Sequence, residues 1–269
     1  MIRAAVIGAT GRMGQALVRA GRETNAIRIV AAVASEESRY IGRDIGQLAD
    51  QTTLGATVTS DLRTALAGCD VAIDFSQPTA TGFNLAACRA ASKPMLIGTT
   101  GYPPELTSEF VKAGRDIPLL IAPNTSMGVS LLIELVRACA RALPSDFDIE
   151  IVETHHRQKK DAPSGTALSL GRAAAKARGH DLTEVAVTNR ADSSPRVEGD
   201  IGFSVIRGGD AIGEHAVHFM APGEQLTLAH RATDRAIFAR GALRAAAWLA
   251  VQPVGLYGMQ DVAGYKTET

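Results

Sequence analysis

The chain has 269 residues, of which 46% are hydrophobic and 21% are charged, and its 28 basic residues balance 28 acidic ones. This length and composition are typical of a soluble protein with one or two domains and argue against disorder. A neutral chain has no general attraction to nucleic acid or to an anionic membrane, and no run of about 18 apolar residues is present to span a bilayer.

Short apolar runs alternate with helix-period segments in the N-terminal half. The predicted strands are 4–7, 29–33, 71–75, 95–97 and 119–122. This alternation predicts a parallel sheet with crossover helices. Met13, Ala16, Leu17 and Ala20 fall on one face of a 3.6-residue period, so the first helix is predicted to be amphipathic.

A glycine-rich turn joins the first strand to this helix, with the sequence Gly8-Ala9-Thr10-Gly11-Arg12-Met13-Gly14. Glycines allow a backbone to approach a pyrophosphate closely, and the positive end of the following helix attracts its charge. The sequence therefore predicts a dinucleotide site. An ordinary strand-to-helix turn is the alternative, since the spacing is G-x-x-G-x-x-G rather than G-x-G-x-x-G.

The end of the second strand bears on the choice of coenzyme. A carboxylate usually binds the ribose hydroxyls of NAD at this point, but here the strand ends in Ala34 and Ser35. Without an acid at Ala34 a 2′-phosphate is not repelled, and Ser35, Arg39 or Arg12 could contact it. Glu36 could still reach a ribose if the turn is displaced. We expect NADPH or NADH as the coenzyme.

The pattern changes after Asn124. We predict a helix over 127–143, a strand over 149–154 and an alanine-rich helix after Pro163. Three later strand-like segments, separated by glycine-rich turns, predict a mixed or antiparallel sheet: 201–206, 215–219 and 226–230. The stretch 191–199 is predicted to be a surface loop. A last helix begins near Asp234 and carries an apolar stripe.

A basic histidine loop, 155–167, connects the predicted strand to the alanine-rich helix. It reads His-His-Arg-Gln-Lys-Lys-Asp-Ala-Pro-Ser-Gly-Thr-Ala and places two imidazoles and three permanent cations in six residues. Such a positive cluster suits a small substrate with carboxylates, which the N-terminus of the helix at Ser164 to Thr166 can also bind. Histidine exchanges protons near neutral pH. A solvated surface loop is the alternative interpretation.

Several other polar residues have simpler interpretations. Asp74 is predicted to cap a turn or helix, and Gly208-Gly209-Asp210 to form a tight turn whose supporting role near an active site stays open. His215 and His218 are three apart in a strand and point to opposite faces, so no metal site is expected.

Cysteine content and the N-terminus indicate the compartment. Cys69, Cys88 and Cys139 are odd in number and far apart, which favours reduced thiols. The first seven residues are too few for the apolar core of a secretory signal. We expect a cytoplasmic protein with no nucleic-acid or membrane partner.

Together these segments resemble the 4-hydroxy-tetrahydrodipicolinate reductase family, in the same order over essentially the whole chain. The most specific is the pattern H-H-R-x-K-x-D-A-P-S-G-T-A of the histidine loop. The others are the glycine turn, Ile97-Gly98-Thr99-Thr100-Gly101, Ala122-Pro123-Asn124 with Ser126 and Gly128, and Arg207-Gly208-Gly209-Asp210 with Gly213-Glu214-His215.

The resemblance implies an α/β fold: a Rossmann-like dinucleotide-binding domain, 1–126 with 236–269, and a mixed-sheet α+β domain, 127–235, for substrate binding and oligomerisation. It implies a homotetramer formed through that sheet. It also implies reduction of 4-hydroxy-tetrahydrodipicolinate, a small dicarboxylate, to tetrahydrodipicolinate with NADPH or NADH, in lysine and diaminopimelate biosynthesis.

The resemblance assigns roles to individual residues. His155 is similar to the proton donor, and Lys159 to a second catalytic residue that protonates or holds the substrate. The implied substrate ligands are His156, Gly165 and Thr166. The implied coenzyme contacts are Gly8, Ala9, Thr10, Gly11, Arg12, Met13, Ser35, Gly98, Thr99, Thr100, Ala122, Pro123, Asn124 and Thr125.

Two positions depart from the family's pattern. Ala34 stands where many members have an acid, and Thr125 stands where many have an aromatic or larger apolar residue, so coenzyme preference and nicotinamide packing stay open. Two rival hypotheses also remain: another two-domain nicotinamide enzyme, such as a dehydrogenase acting on an aldehyde or amino acid, and a noncatalytic dinucleotide-binding sensor.

Overall fold

The structure is a computed structural model that describes residues 1–190 and 195–265. It divides into two units: Met1–Ser126 together with the C-terminal segment from Ala236, and Met127–Arg235. The predicted surface loop 191–199 lies partly outside the described residues, and its remainder, 195–199, has no helix or strand. Among the described helices, none combines the length and apolar character needed to cross a membrane.

The strands among the described residues are, in chain order, β1 (Ile2–Ile7), β2 (Ile27–Val33), β3 (Val58–Thr59), β4 (Val71–Asp74), β5 (Met95–Ile97), β6 (Pro118–Ile121), β7 (Asp148–His155), β8 (Ala186–Val187), β9 (Ile201–Arg207), β10 (Gly213–Ala221), β11 (Glu224–Ala232) and β12 (Gly255–Tyr257). Every strand predicted from the sequence is present, with ends shifted by a few residues. The short strands β3, β8 and β12 were not predicted, because two or three residues cannot display a periodicity.

The helices of the described residues are α1 (Arg12–Gly21), α2 (Ile45–Asp50), α3 (Leu62–Ala67), α4 (Thr81–Ala90), α5 (Leu106–Ala113), α6 (Met127–Ala142), α7 (Gly165–Ala177), α8 (Leu182–Val185), α9 (Ala236–Leu249) and α10 (Met259–Val262). The last long helix, α9, starts two residues later than expected. It packs against α1, β4 and β5, with Ala242 and Leu249 buried.

The first unit is built on a seven-stranded sheet in the order β12-β6-β5-β4-β1-β2-β3, in which all pairs are parallel. Its central strands are apolar on both faces because helices cover both sides. Ile7 of β1 pairs with Val33 of β2 and with Asp74 of β4, so the carboxyl ends of the three strands meet at one edge. This parallel sheet with helices on both sides confirms the predicted Rossmann-like α/β fold. In such sheets, ligands bind at the edge where the carboxyl ends of the strands meet.

The second unit is built on a five-stranded mixed sheet in the order β11-β10-β7-β9-β8. Strand β10 runs antiparallel to β7 and β11, whereas β7, β9 and β8 are parallel. Helices α6 and α7 pack on each other, and residues of both join the apolar core with residues of the sheet. The predicted mixed sheet is therefore confirmed.

Alternate residues of β7 share one face of the sheet. Ile149, Ile151, Glu153 and His155 are the buried members of that strand. The apolar residues at the start of this row belong to the core, and the two ionisable residues stand at its carboxyl end. The strand therefore carries an ionisable pair into the interior of the unit.

Candidate active site

The glycine-rich turn lies between β1 and α1 and depends on close backbone packing. Gly8 has a φ of +78°, and a Cβ at this position would lie 2.4 Å from the carbonyl oxygen of Phe75. A Cβ on Gly14 would lie 2.3 Å from the carbonyl oxygen of Ala9. Both contacts are with backbone atoms that cannot rotate away, so only glycine fits at these two positions. The turn therefore packs its backbone closely against that of Phe75 and Ala9 at the start of helix α1.

A cavity of about 400 Å³ opens beside this turn. It is bordered by Gly8, Thr10 and Gly11 of the turn, by Ser35 and Glu36 after β2, and by residues that follow β4. Four predicted coenzyme contacts, Gly8, Thr10, Gly11 and Ser35, thus come together around one cavity. Its position at the carboxyl edge of a parallel sheet is where dinucleotides bind in this class of fold.

The remaining predicted coenzyme contacts lie next to the strands of the same sheet. Ala9 is buried and donates its N–H to the carbonyl of Val33 at 3.0 Å, while Arg12 and Met13 begin helix α1. The segment 98–100 follows β5, and the segment 122–125 follows β6. These two segments are not part of the cavity lining, which among the described residues comes from the ends of β1 and β2, the segments that follow β1 to β4, and helix α4.

Two hydrogen bonds fix the segments after β5 and β6. Gly98 donates its N–H to the carbonyl of Asp74 at 2.9 Å, and Thr125 donates its hydroxyl to the carbonyl of Phe238 in α9 at 2.6 Å. Thr125 is therefore a buried anchor to the C-terminal helix. A larger apolar residue at this position would lack the hydroxyl that makes the contact.

Asp74 caps a turn, as the sequence predicted. Its Oδ1 accepts the backbone N–H of Ser76 at 2.9 Å, and the hydroxyl of Ser76 accepts a hydrogen bond from Asn84 at 3.0 Å. Asp74 is fully buried, and burial raises the pKa of its carboxyl group despite these hydrogen bonds. The group therefore organises the loop after β4.

Only some of the polar groups expected near a 2′-phosphate border the cavity. Ser35 and Glu36 do, whereas Arg12 and Arg39 are absent from the described lining. The guanidinium of Arg39 lies 4.9 Å from the ring centroid of Tyr40, and it donates a hydrogen bond to the hydroxyl of that residue. The cavity thus offers the hydroxyl of Ser35 and the carboxylate of Glu36 beyond β2.

In the second unit, His155 ends β7 and is 8% exposed. Its Nδ1 forms a hydrogen bond with an Oε2 oxygen of Glu153, and its ring stands edge-on to His215, with centroids 5.1 Å apart. Burial lowers the pKa of His155, the Glu153 carboxylate opposes this change, and Lys159 and Arg207 reinforce it. The imidazole is thus held between one anion and two cations.

Glu153 is the centre of a buried hydrogen-bond network. Arg207 donates to both carboxylate oxygens at 2.8 and 2.7 Å, and the backbone N–H of Ser164 donates to Oε1 at 2.9 Å. Burial opposes ionisation of Glu153, but the hydrogen bonds from Arg207, His155 and Ser164 lower the pKa of Glu153 overall. The carboxylate is therefore a charged acceptor.

The strand register brings these partners together. Arg207 of β9 lies opposite His155 of β7, and His215 of β10 lies opposite Glu153. The ring of His215 contacts the hydroxyl of Ser164 at 3.0 Å. Burial, assisted by the charge of His155, lowers the pKa of His215 to about 4, so this imidazole is neutral at physiological pH.

Lys159 and the predicted substrate ligands surround this network. The Nζ atom of Lys159 lies 2.9 Å from an oxygen of Asp161, and His156 donates its N–H to the carbonyl of Ala211 at 2.7 Å. Gly165 and Thr166 form the first turn of α7, which Ser164 caps by accepting the N–H of Ala167 at 3.2 Å. The structure thus brings the predicted catalytic residues and substrate ligands to one edge of the second sheet.

Glu153, His155 and His215 each offer a potential metal ligand atom, and these atoms lie within 4.8 Å of one another. Both oxygens of Glu153 already accept hydrogen bonds from Arg207, so we describe the group as a hydrogen-bond network and assign no metal to it. His218 lies on the other face of β10, where it contacts Thr227 and Gln225, as the strand alternation predicted.

Glu153 was not predicted to belong to the site, and the role of the turn that follows Arg207 stayed open. A signal was present, because Glu153 occupies an inward position of a strand whose preceding inward residues, Ile149 and Ile151, are apolar. A charge at such a position needs a buried partner. The sequence alone could not identify that partner, which lies 54 residues further along the chain.

Comparison with known proteins gives a consistent result over the whole chain. Residues 2–125 match a family model described as "Dihydrodipicolinate reductase, N-terminus", and residues 128–263 match one described as "Dihydrodipicolinate reductase, C-terminus". A 4-hydroxy-tetrahydrodipicolinate reductase of Pelobacter propionicus is 43% identical over 99% of this chain and 100% of its own length. That of Anaeromyxobacter dehalogenans is 45% identical over 99% of both chains.

The fold is also shared with a solved structure. The dipicolinate-bound dihydrodipicolinate reductase of Paenisporosarcina sp. TG-14 superposes with a TM-score of 0.77 and covers 97% of this chain and 99% of its own, at 23% identity.

Proposed function

This chain belongs to the dihydrodipicolinate reductase family, and from that premise we propose how its own residues carry out the reaction. The chain is an oxidoreductase that reduces 4-hydroxy-tetrahydrodipicolinate to tetrahydrodipicolinate in lysine and diaminopimelate biosynthesis. The first unit binds the dinucleotide, and the second binds the substrate and forms the oligomer. A reduced nicotinamide dinucleotide supplies the hydride when it is bound.

The dinucleotide is held by the glycine turn and the strand ends of the first unit. The turn fits a pyrophosphate because its glycines allow close approach of the backbone, and Gly8 and Gly11 border the cavity at the N-terminus of α1. The residues assigned to this role are 8–13, Ser35, 98–100 and 122–125. The cavity beside the turn supports the assignment for Gly8, Thr10, Gly11 and Ser35.

The chain uses both NADPH and NADH. Ala34 provides no carboxylate to repel a 2′-phosphate, which supports the use of NADPH, and Ser35 can donate a hydrogen bond to it. Glu36 borders the same cavity and can accept hydrogen bonds from the ribose hydroxyls of NADH. Because one group favours each coenzyme, we expect the kcat/KM for NADPH and the kcat/KM for NADH to differ by no more than about tenfold. This ratio corresponds to a difference of roughly 1.4 kcal/mol in activation free energy.

His155 gives the proton and Lys159 assists. The observation that carries this assignment is the buried imidazole of His155, whose Nδ1 is hydrogen-bonded to the carboxylate of Glu153. The ammonium of Lys159 lies close enough to His155 to lower the pKa of the imidazole. Lys159 protonates or holds the substrate. His156, Gly165 and Thr166 bind its carboxylates, with N–H groups at the start of α7 providing donors for an anion.

The protein acts in the cytoplasm as a homotetramer formed through the sheet of the second unit. The exposed apolar side chain of Ile206, on the face of that sheet opposite the buried row of β7, supports this assembly, because a contact between copies would cover it. Sedimentation of the purified protein tests the assembly, and a monomer at micromolar concentration would contradict it.

The function is tested by following coenzyme oxidation with enzymatically generated substrate. We expect turnover by the wild type and a fall in kcat of about 10²- to 10⁴-fold in His155→Ala and Lys159→Ala, with coenzyme affinity unchanged. Lys176→Ala, an exposed lysine of α7, is the matched control and keeps wild-type kcat. A wild-type chain that binds coenzyme but oxidises none would instead be a noncatalytic dinucleotide sensor. Turnover of an aldehyde or amino acid alone would indicate a different dehydrogenase.

A further inference from the structure

The side chain of Glu153 is 1% exposed, and the chemistry described above gives this carboxylate no task. We propose that Glu153 is a positioning residue for His155: its carboxylate, fixed by Arg207, accepts the Nδ1–H of the imidazole and leaves the Nε2–H as the proton for transfer. The inference rests on the proposed role of His155. It names a residue that orients the donor and touches neither substrate nor coenzyme.

Three elements hold the carboxylate in place. Arg207 from β9 donates two nearly equal hydrogen bonds, one to each oxygen, and the backbone of Ser164 at the start of α7 donates a third. A two-pronged contact of this kind fixes direction as well as distance. The remaining capacity of Oε2 is directed at Nδ1 of His155. The orientation of the imidazole is therefore determined by parts of the fold that are far apart in sequence.

Arg207 also reaches the loop that carries Lys159. Its Nη2 atom donates to the carbonyl of Asp161 at 2.7 Å, and the carboxylate of Asp161 pairs with Lys159 at 2.9 Å. One guanidinium thus contacts both the carboxylate behind His155 and the loop bearing the second proposed catalytic residue. A positioning role requires such a shared contact, because His155 and Lys159 must keep a fixed arrangement relative to each other.

The other ring nitrogen of His155 faces a glycine. A Cβ on Gly213 would lie 3.0 Å from Nε2, so the absence of a side chain at this position keeps space open beside the proposed donor. When the proton leaves, the bond between Nε2 and hydrogen breaks and a bond between substrate and hydrogen forms. His155 changes from imidazolium to neutral imidazole and keeps its Nδ1–H on Glu153, which stays ionised.

The charges that face His155 predict a distinctive pH response. They come from Glu153 on its own strand, Arg207 on β9, His215 on β10 and Lys159 in the loop. The donor must be protonated, so kcat/KM falls as pH rises through the pKa of His155. Removing the negative charge of Glu153 lowers that pKa and moves the fall to lower pH. Removing the positive charge of Arg207 raises the pKa and moves the fall to higher pH.

The experiment compares Glu153→Gln with Arg207→Met and with a matched control, Glu150→Gln. Glu150 lies on the same strand and pairs with two arginines, Arg190 and Arg196, but points to the opposite face. We expect kcat of Glu153→Gln to fall about 10- to 100-fold, with coenzyme KM unchanged and the pH profile moved to lower pH. Arg207→Met moves the profile to higher pH, and Glu150→Gln matches the wild type.

A proton NMR spectrum provides a readout that does not depend on activity. In ¹⁵N-histidine-labelled protein, we expect one low-field signal from the Nδ1–H of His155. It should be present in wild type and in Glu150→Gln and absent in His155→Ala and Glu153→Gln. This comparison remains informative if Arg207→Met folds poorly, because the other variants keep that arginine.

The outcomes separate this inference from the proposed function. If His155→Ala is inactive while Glu153→Gln keeps wild-type kcat and pH profile, the positioning role is wrong and the proposed function stands. If Glu153→Gln and Arg207→Met lose activity equally and neither shifts the pH profile of kcat/KM, the pair of Arg207 and Glu153 is only structural. If His155→Ala is fully active, the proposed donor and the positioning role are both wrong.

Discussion

The backbone N–H of Ser164 donates a 2.9 Å hydrogen bond to Oε1 of Glu153. The other oxygen of that carboxylate holds the imidazole of His155, so the cap of helix α7 and the proposed proton donor share one anchor. The hydroxyl of Ser164 caps α7 at Ala167 and contacts the ring of His215. Glu153 therefore fixes the proposed substrate-binding groups at the start of α7 relative to His155, the proposed proton donor.

Ser164→Ala is expected to lower the free energy of unfolding by about 1–2 kcal/mol, because it removes a helix cap and leaves a buried imidazole without its hydroxyl partner. Urea denaturation measures the change. Ser169→Ala on the same helix is the control: its hydroxyl bonds back to the carbonyl of Gly165, and its loss leaves stability within about 0.5 kcal/mol of wild type. Equal stabilities for the two variants would contradict the capping role.

Gly213→Ala is expected to lower kcat about tenfold or more while the protein stays folded. The added methyl group would meet Nε2 of His155 at 3.0 Å, which displaces the ring from its place or fills the space before it. Gly208→Ala is the control, since a Cβ there meets no atom within 4 Å. Steady-state kinetics distinguish the two variants, and an unaffected Gly213→Ala enzyme would place the reacting proton elsewhere.

Stability is expected to fall as pH is lowered from about 6.5 to about 4, partly because of His215. Burial lowers the pKa of His215 from 6.5 in the unfolded chain to about 4 in the fold. In this window the unfolded chain binds a proton that the folded chain does not, so the contribution is complete above 6.5 and is lost toward pH 4. Its full size is at most about 3.5 kcal/mol.

His215→Gln tests this origin of the pH dependence. The substitution removes the titrating group while keeping a polar atom for Ser164. Denaturation midpoints measured across the window should decline less steeply than in wild type, with a residual decline from His155 and His230, whose pKa values burial also lowers. A variant that is as pH-sensitive as wild type would show that His215 is accessible to protons in the fold.

Gly8→Ala is expected to weaken coenzyme binding and to destabilise the first unit. Its φ of +78° disfavours a side chain, and the new Cβ would lie 2.4 Å from the carbonyl oxygen of Phe75. Gly55→Ala separates the two effects, because Gly55 has a φ of +83° but open space around it. Fluorescence titration with coenzyme should show loss of affinity in Gly8→Ala and none in Gly55→Ala.

Ala34→Asp is expected to shift coenzyme preference toward NADH by about tenfold or more. A carboxylate at the end of β2 accepts hydrogen bonds from ribose hydroxyls and repels a 2′-phosphate. The ratio of the two kcat/KM values, measured on the same substrate, gives the shift. No change in the ratio would mean that the adenosine ribose lies elsewhere.

Much of the fold could be predicted because the relevant signals are local. The apolar runs of β1 and β2 and the period of α1 are visible in the sequence, and the fully buried Ala4, Val6 and Leu17 show that these residues form the core. Strands such as β3 and β12 could not be predicted, because pairing with a neighbour defines them and their composition does not.

The site was predictable only in part for a related reason. The loop at His155 and Lys159 has a distinctive pattern, so these residues could be named from the sequence. Glu153 could not be assigned a role, because the significance of its charge depends on Arg207 and Ser164, which the register of β7 and β9 and the start of α7 bring to it. Interactions that tertiary structure creates between distant segments leave only weak traces in a single sequence.

The contact between Glu153 and Arg207 also constrains how this chain can diverge. Without Arg207, the buried carboxylate of Glu153 would lose two hydrogen bonds and its guanidinium partner, so the loss of Arg207 alone should destabilise the fold more than the loss of both residues. Descendants of this sequence should therefore exchange the two positions jointly or retain both. A directed-evolution library that randomises either codon singly would return almost exclusively the starting residue.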